Sequence, residues 1–112
     1  MAILVASGMT VSIAAYTKSA DLVTGRNQYV GKGRLQLVAR GSAIGMNCTL
    51  NCGGVALSDD LALPFFGSTG GMTVKDHVVI DQVVSGGRVE MFLRNTTVGA
   101  LTTDYALYFT PM

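Results

Sequence analysis

His77 is the only imidazole in the chain, and in Lys75-Asp76-His77 it opens an alternating stretch. A general base needs a partner to orient or relay its proton. No Gly-x-Ser-x-Gly elbow and no phosphate loop with Lys-Ser or Lys-Thr accompanies it. His77 is therefore expected to be structural. Cys48 and Cys52 stand four apart in Asn47-Cys-Thr-Leu-Asn-Cys-Gly-Gly. On a strand they share a face but lie about 13 Å apart, too far for a local disulfide, and metal partners are not visible, so free, half-buried thiols are expected. Asp59-Asp60 could chelate a hard cation, although adjacent loop carboxylates are usually solvated or capping groups. Asn47-Cys-Thr49 and Asn95-Thr-Thr97 match the glycosylation acceptor pattern. These residues predict no enzyme, no cofactor and no metal.

The remaining chemistry is ionic. Arg34 and Arg40 fall on one face of an alternating stretch with Gln36 and Val38, flanked by Arg26, Tyr29 and Lys32. Cations spaced along a strand beside an aromatic ring can track a polyanion such as a phosphate backbone. The competing reading is structural, because Arg88 and Arg94 bracket a second strand beside Glu90, as arginines that frame strands for salt bridges would. The net charge is only +1, far from the balance of a dedicated nucleic-acid binder. It is unevenly placed: residues 1–58 carry five cations against Asp21, a net of +4, and residues 59–112 carry three cations against six carboxylates, a net of −3. Opposite-signed halves suit head-to-tail contacts between copies.

The elements that position these groups read as strands. Residues 10–16 place Val11, Ile13 and Ala15 on one side; residues 34–40 place Leu35, Leu37 and Ala39 opposite the arginines. Val78, Ile80 and Val84, then Val89, Met91 and Leu93, repeat the alternation, and residues 105–110 close the chain with aromatic strand formers. Gly31-Lys-Gly33, Gly53-Gly54, Gly67 to Gly71 and Ser85-Gly-Gly87 separate them as turns. An all-β, antiparallel sandwich follows, in one domain over residues 1–112. Ala2 to Ser7 forms an extra apolar strand, either an ordinary edge strand or an N-terminal arm over residues 1–8 that pairs with a neighbouring subunit.

Comparing the chain with itself adds a second layer. Residues 27–49 align without gaps on residues 81–103, an offset of 54, with seven identities in 23 positions, among them Gly33/Gly87, Arg34/Arg88 and Arg40/Arg94. Two similar antiparallel halves suit paired Greek keys, the plan of a jelly roll.

Composition points to association. The chain is 49% hydrophobic and 13% charged over 112 residues, and a small globule so poor in charge has surface to cover with protein. Residues 1–17 carry no charge; yet a signal peptide needs a cation before its apolar run, and Ser7, Gly8, Thr10 and Ser12 interrupt a membrane span, so neither is expected. A Gly-rich all-β chain of this size, closing on Gly86-Gly-Arg-Val-Glu-Met-Phe-Leu-Arg-Asn-Thr-Thr-Val-Gly-Ala-Leu-Thr-Thr-Asp-Tyr-Ala-Leu-Tyr-Phe-Thr-Pro111, resembles the small capsid and capsid-decoration proteins of viruses and phages. It lacks the basic arm of genome-packaging jelly-roll coats, and it ends in a strand where RNA-phage coats end in helices. The resemblance implies a structural, self-assembling virion subunit, assembled in a host cytoplasm, whose partners are copies of itself and other virion proteins. Ile3, Leu4, Val5, Tyr105, Tyr108 and Phe109 are the expected subunit-interface residues, and Arg26, Lys32, Arg34 and Arg40 are candidate polyanion contacts, against the structural reading of the arginines. The alternative is an oligomeric ligand- or carbohydrate-binding sandwich using loops such as Leu63-Pro-Phe-Phe-Gly67.

Overall fold

A computed structural model describes residues 3–23, 28–41, 45–63 and 78–112. Eight strands follow in order: β1 (Ile3–Ile13), β2 (Tyr29–Val30), β3 (Gly33–Gly41), β4 (Met46–Cys52), β5 (Val55–Ala62), β6 (Val78–Val84), β7 (Gly87–Asn95) and β8 (Leu101–Pro111). They form two four-stranded sheets, ordered β1-β8-β3-β6 and β2-β7-β4-β5. All pairings are antiparallel. Eight antiparallel strands in this order are two interlocked Greek keys, a jelly roll.

The alternation dictates the core. Leu35, Leu37 and Ala39 of β3 and Tyr105, Leu107 and Phe109 of β8 point inward from one sheet; Met46, Cys48 and Leu50 of β4 and Val89, Met91 and Leu93 of β7 answer from the other. Fully burying one such aliphatic side chain stabilises the fold by roughly 1.5–3 kcal/mol. The Gly-rich clusters at 31–33, 53–54 and 85–87 are the tight β2–β3, β4–β5 and β6–β7 connections.

The predicted repeat is visible in three dimensions. An offset of 54 carries β3, residues 33–41, onto residues 87–95, which are β7. Advancing every strand by four, with β5 to β8 returning to β1 to β4, converts the order β1-β8-β3-β6 into β5-β4-β7-β2, which is the second sheet read from its far edge. The two sheets are thus exchanged by a pseudo-two-fold relation.

The structure corrects several local readings. The stretches 2–7 and 10–16, expected as separate strands, are spanned from Ile3 onward by the single strand β1, with register shifts at Leu4/Ala6 and Gly8/Val11; the strand stops at Ile13, and Ala15 lies in a turn. A bulge adds a residue and reverses the face of those beyond it, which hides one strand as two in a period-2 reading. A shift at Leu37/Val38 has the same effect on β6: Val78 turns outward, and Val79 packs against the core. Asp59 and Asp60 belong to β5, not to a loop.

Candidate assembly surface

The four arginines of the repeat each meet an aspartate: Arg34 with Asp81, Arg40 with Asp104, Arg88 with Asp21, and Arg94 with Asp60. Arg34 grips Asp81 through both Nε and Nη2, and Arg94 does the same to Asp60. Arg40 lies directly across the ladder from Asp104 and donates from Nε at 3.1 Å, which lets a guanidinium sit at only 9% exposure. This corrects the picture of a continuous basic stripe, because Arg34 and Arg40 already carry carboxylate partners. Lys32 is exposed, and Arg26 lies outside the described residues. Three of the four pairs join residues 1–58 to residues 59–112 within one chain, so most of the charge polarity is consumed internally.

The exposed pairs have a predictable pH signature. Hydrogen bonds from Arg94 and Arg34 hold the Asp60 and Asp81 carboxyls below their ordinary range. A folded-state value below the unfolded one, near 3.9 for Asp, gives stability that is complete above it and is lost as pH falls through the folded value. Thermal midpoints should therefore be flat above about pH 5 and fall below about pH 4. Asp81→Asn should flatten part of that acid limb while changing the neutral-pH midpoint little, because solvent screens an exposed pair. An unchanged acid limb in Asp81→Asn would remove the pair from this role.

Cys48, Cys52, Asp60 and Asn95 are buried or committed to partners within the chain. Cys48 and Cys52 are free and buried, sharing the inward face of β4. Burial pushes the Cys48 thiol up to about 12 and raises that of Cys52, so neither is a ready nucleophile or ligand. Among the described residues no three His, Cys, Asp or Glu side chains are placed to hold a metal ion. Asp60 is committed to Arg94, and its N–H donates to Thr49 Oγ1 across the β4–β5 irregularity. Asn95 is fully buried with its Nδ2 donating to Ile13 O and Gly99 O, so the acceptor pattern at 95–97 is closed in the folded chain. His77 and residues 64–67 of the proposed ligand loop lie outside the described residues; Leu63 is buried. No helix among the described residues is long and apolar enough to cross a membrane.

The interface residues divide. Val5, Tyr105 and Phe109 belong to the chain's own core, because the alternation that makes them apolar turns them toward the facing sheet; they are corrected from interface to core. Tyr108 is half-buried on the opposite face of β8. Ile3 and Leu4 are exposed. Residues 3–8 pair with β8 of the same chain, from Ile3 opposite Phe109 to Gly8 opposite Tyr105, as an edge strand does.

What the structure assembles around Ile3 was not foreseen. β1 and β2 are the edges of their sheets on one side of the sandwich, where residues 17–22 continue the β2 edge along β7 (Ser19 N–H to Leu93 O, Leu22 N–H to Met91 O, and Asn95 N–H to Thr17 O); β5 and β6 are the edges on the other. Each side holds a cleft. One, of about 120 Å³, is lined by Ile3, Val5, Tyr29, Val30, Gly31 and Phe109. The other, of about 170 Å³, is lined by Val55 and Leu57 of β5, Gln82 to Val84 of β6, Ser85 and Gly86 after it, and Cys52 and Gly53. The pseudo-two-fold relates them, since Tyr29, Val30 and Gly31 advance by 54 to Val83, Val84 and Ser85, and both strand starts, at Ile3 and Val55, contribute alternate residues. Their rims are apolar and open: Ile3 is 40% exposed, Tyr29 67%, Val55 61% and Val83 54%. The repeat offset was the signal that would have paired Tyr29 with Val83. No family model matches the chain, and comparison with curated proteins and with solved structures gives no match.

Proposed function

We propose that this chain is a structural protein that assembles with copies of itself, as a coat or decoration subunit of a virion. The observation that carries the reading is the pair of open sandwich sides, each with an apolar cleft and exposed Ile, Tyr or Val side chains at its rim. Exposed sheet edges template pairing with other chains unless they are blunted. β1 has no charged residue and no proline along Ile3–Ile13, and its two register shifts are its only blunting device. The jelly-roll order supports the reading by analogy, since that plan recurs in capsid domains, though also in lectins. At about 170 and 120 Å³ the clefts are smaller than the roughly 300–1,000 Å³ of small-molecule sites. They suit a side chain from another protein better than a free ligand. The ion pairs of Arg34 and Arg40 favour the structural role of the arginines over contact with nucleic acid.

The test is size-exclusion chromatography over rising concentration, followed by negative-stain microscopy. Uniform shells, rings or filaments are expected, with a 260/280 nm absorbance ratio that nuclease treatment leaves unchanged. A monomer persisting at high concentration would sink the reading.

A further inference from the structure

The two open sides differ in one respect that decides how they can meet. Of the described charged side chains, the four ion pairs leave Lys18, Lys32, Asp59 and Glu90 outside any pair. Lys18 lies over the Phe92 ring at 4.5 Å, and Glu90 shares the outward face of β7 with Phe92, so these two belong to a sheet face. The other two lie beside the clefts, Lys32 in the β2–β3 connection and Asp59 on β5. Lys32 is exposed and follows Gly31 of the β1/β2 cleft. Asp59 is exposed on β5, the edge strand of the opposite side. A cation thus stands one residue from the lining of the β1/β2 cleft, and an anion lies on the edge strand of the other side.

We propose that copies associate side by side in a heterologous sense, the β1/β2 side of one copy seating against the β5/β6 side of the next. This deepens, and rests on, the self-assembly reading above. Tyr29 and Ile3 on one side oppose Val55 and Val83 on the other; a rigid, exposed tyrosine is the kind of anchor that fills a partner's cleft. An isologous contact would set Lys32 against Lys32, or Asp59 against Asp59, and like charges facing each other destabilise a contact. The heterologous contact pairs opposite signs. The pseudo-two-fold gives both sides the same order of strands, an apolar cleft bounded by two sheet edges, although β2 (2 residues) is shorter than its counterpart β6 (7 residues). A heterologous contact repeats, closing into a ring or running on as a filament.

The experiment uses two blocked variants of the full chain. Ile3→Lys with Tyr29→Lys disables the first side; Val55→Asp with Val83→Asp disables the second. Circular dichroism and thermal midpoints establish that each is folded, and light scattering after size exclusion gives the mass. Each variant alone should remain monomeric, and an equimolar mixture should give a discrete heterodimer through the one pair of intact sides. Dimers of each variant alone, with nothing new on mixing, would mean an isologous contact and overturn the proposal. Wild-type assembly that both variants reproduce unchanged would overturn the edge contact and leave the self-assembly reading standing. A wild-type chain that is monomeric at high concentration overturns both. If a blocked variant fails to fold, the charges serve instead: Lys32→Glu and Asp59→Lys should each weaken association about two- to fivefold, and the double swap should restore it. Equal weakening in the double swap overturns the proposed pairing of sides.

Discussion

Gly87→Ala is expected to destabilise the chain by about 2–6 kcal/mol, a large share of the usual total of about 5–15 kcal/mol. Gly87 opens β7 with φ at +121°, a region that L side chains rarely adopt. A Cβ there would stand 2.5 Å from Gly53 Cα and 3.0 Å from Gly53 N, so it meets backbone rather than a side chain that could swing away. Gly53 has the reciprocal problem: its φ is +60°, and a Cβ on it would lie 2.5 Å from Gly86 O. The β4–β5 and β6–β7 turns therefore pack backbone to backbone. Two costs add in Gly87→Ala, about 1–3 kcal/mol for the backbone conformation and about 1–3 kcal/mol for overpacking. Two neighbours separate them. Gly54→Ala has a φ of +83° but nothing within 4 Å, so it should show the conformational cost alone. Gly31→Ala meets nothing within 4 Å and has no left-handed φ, so it should be nearly neutral. Denaturant unfolding of the three variants gives the comparison, and a Gly87→Ala as stable as Gly54→Ala would refute the packing argument. The same pair of turns contributes Gly53 and Gly86 to the β5/β6 cleft, so strain there should also loosen that side's contact with a neighbour.

How much of this was legible follows from how far apart the interacting residues lie. The inward residues of β7 and β8 alternate cleanly because each strand is interior to its sheet and buries one face against the opposite sheet, whereas β3 alternates only as far as Leu37 and is buried on both faces from Val38 to Gly41. The offset of 54 stood in the sequence as shared glycines and arginines, and it corresponds to the exchange of the two sheets. β5 was invisible for a physical reason. It is an edge strand with little buried on either face, its register with β4 shifts twice, and Asp60 adopts a φ of +56°. No period survives such an irregularity. Side chains stand in for part of the ladder there: Ser58 Oγ accepts from Leu50 N–H and donates to Cys48 O. The aspartate partners of the arginines were equally hidden. Arg40 and Asp104 are neighbours only because β8 returns between β1 and β3, which a local pattern does not reveal. The arginine at each strand end was legible; its neutralisation required the Greek-key topology. The surface left for association is smaller and more specific than low charge alone suggests: two sheet edges, with Lys32 beside one cleft and Asp59 on the edge strand of the other.

Asn95→Leu should cost about 3 kcal/mol or more, for a reason opposite to ordinary core packing. Asn95 ends β7 at zero exposure, where a hydrophobic residue of similar volume would look conservative. Its amide has two donor and two acceptor positions, and all are used. Nδ2 donates to Ile13 O at 3.0 Å and to Gly99 O at 2.8 Å; Oδ1 accepts from Thr97 N–H at 2.9 Å and from Thr97 Oγ1 at 2.7 Å. One side chain thus ties the end of β1 to the turn before β8. Removing it leaves backbone groups with lost partners, at about 1–3 kcal/mol for each that stays unsatisfied. Asn95→Asp distinguishes hydrogen bonding from shape. Aspartate keeps both accepting contacts but turns a negative oxygen toward two carbonyl oxygens, so burial and those carbonyls should raise its folded-state pKa above the unfolded value near 3.9. A carboxyl raised in the folded state costs nothing extra below the unfolded value and its full penalty above the folded one. The stability gap between the wild type and Asn95→Asp should therefore be wide at pH 7 and close as pH falls toward 4, even though the wild type itself weakens in acid. A gap independent of pH would mean that the amide's donors do not hold β1 in place. Because Ile13 is the last residue of the uncharged edge strand, loss of this tie should fray β1 from its far end, reducing assembly before the core unfolds.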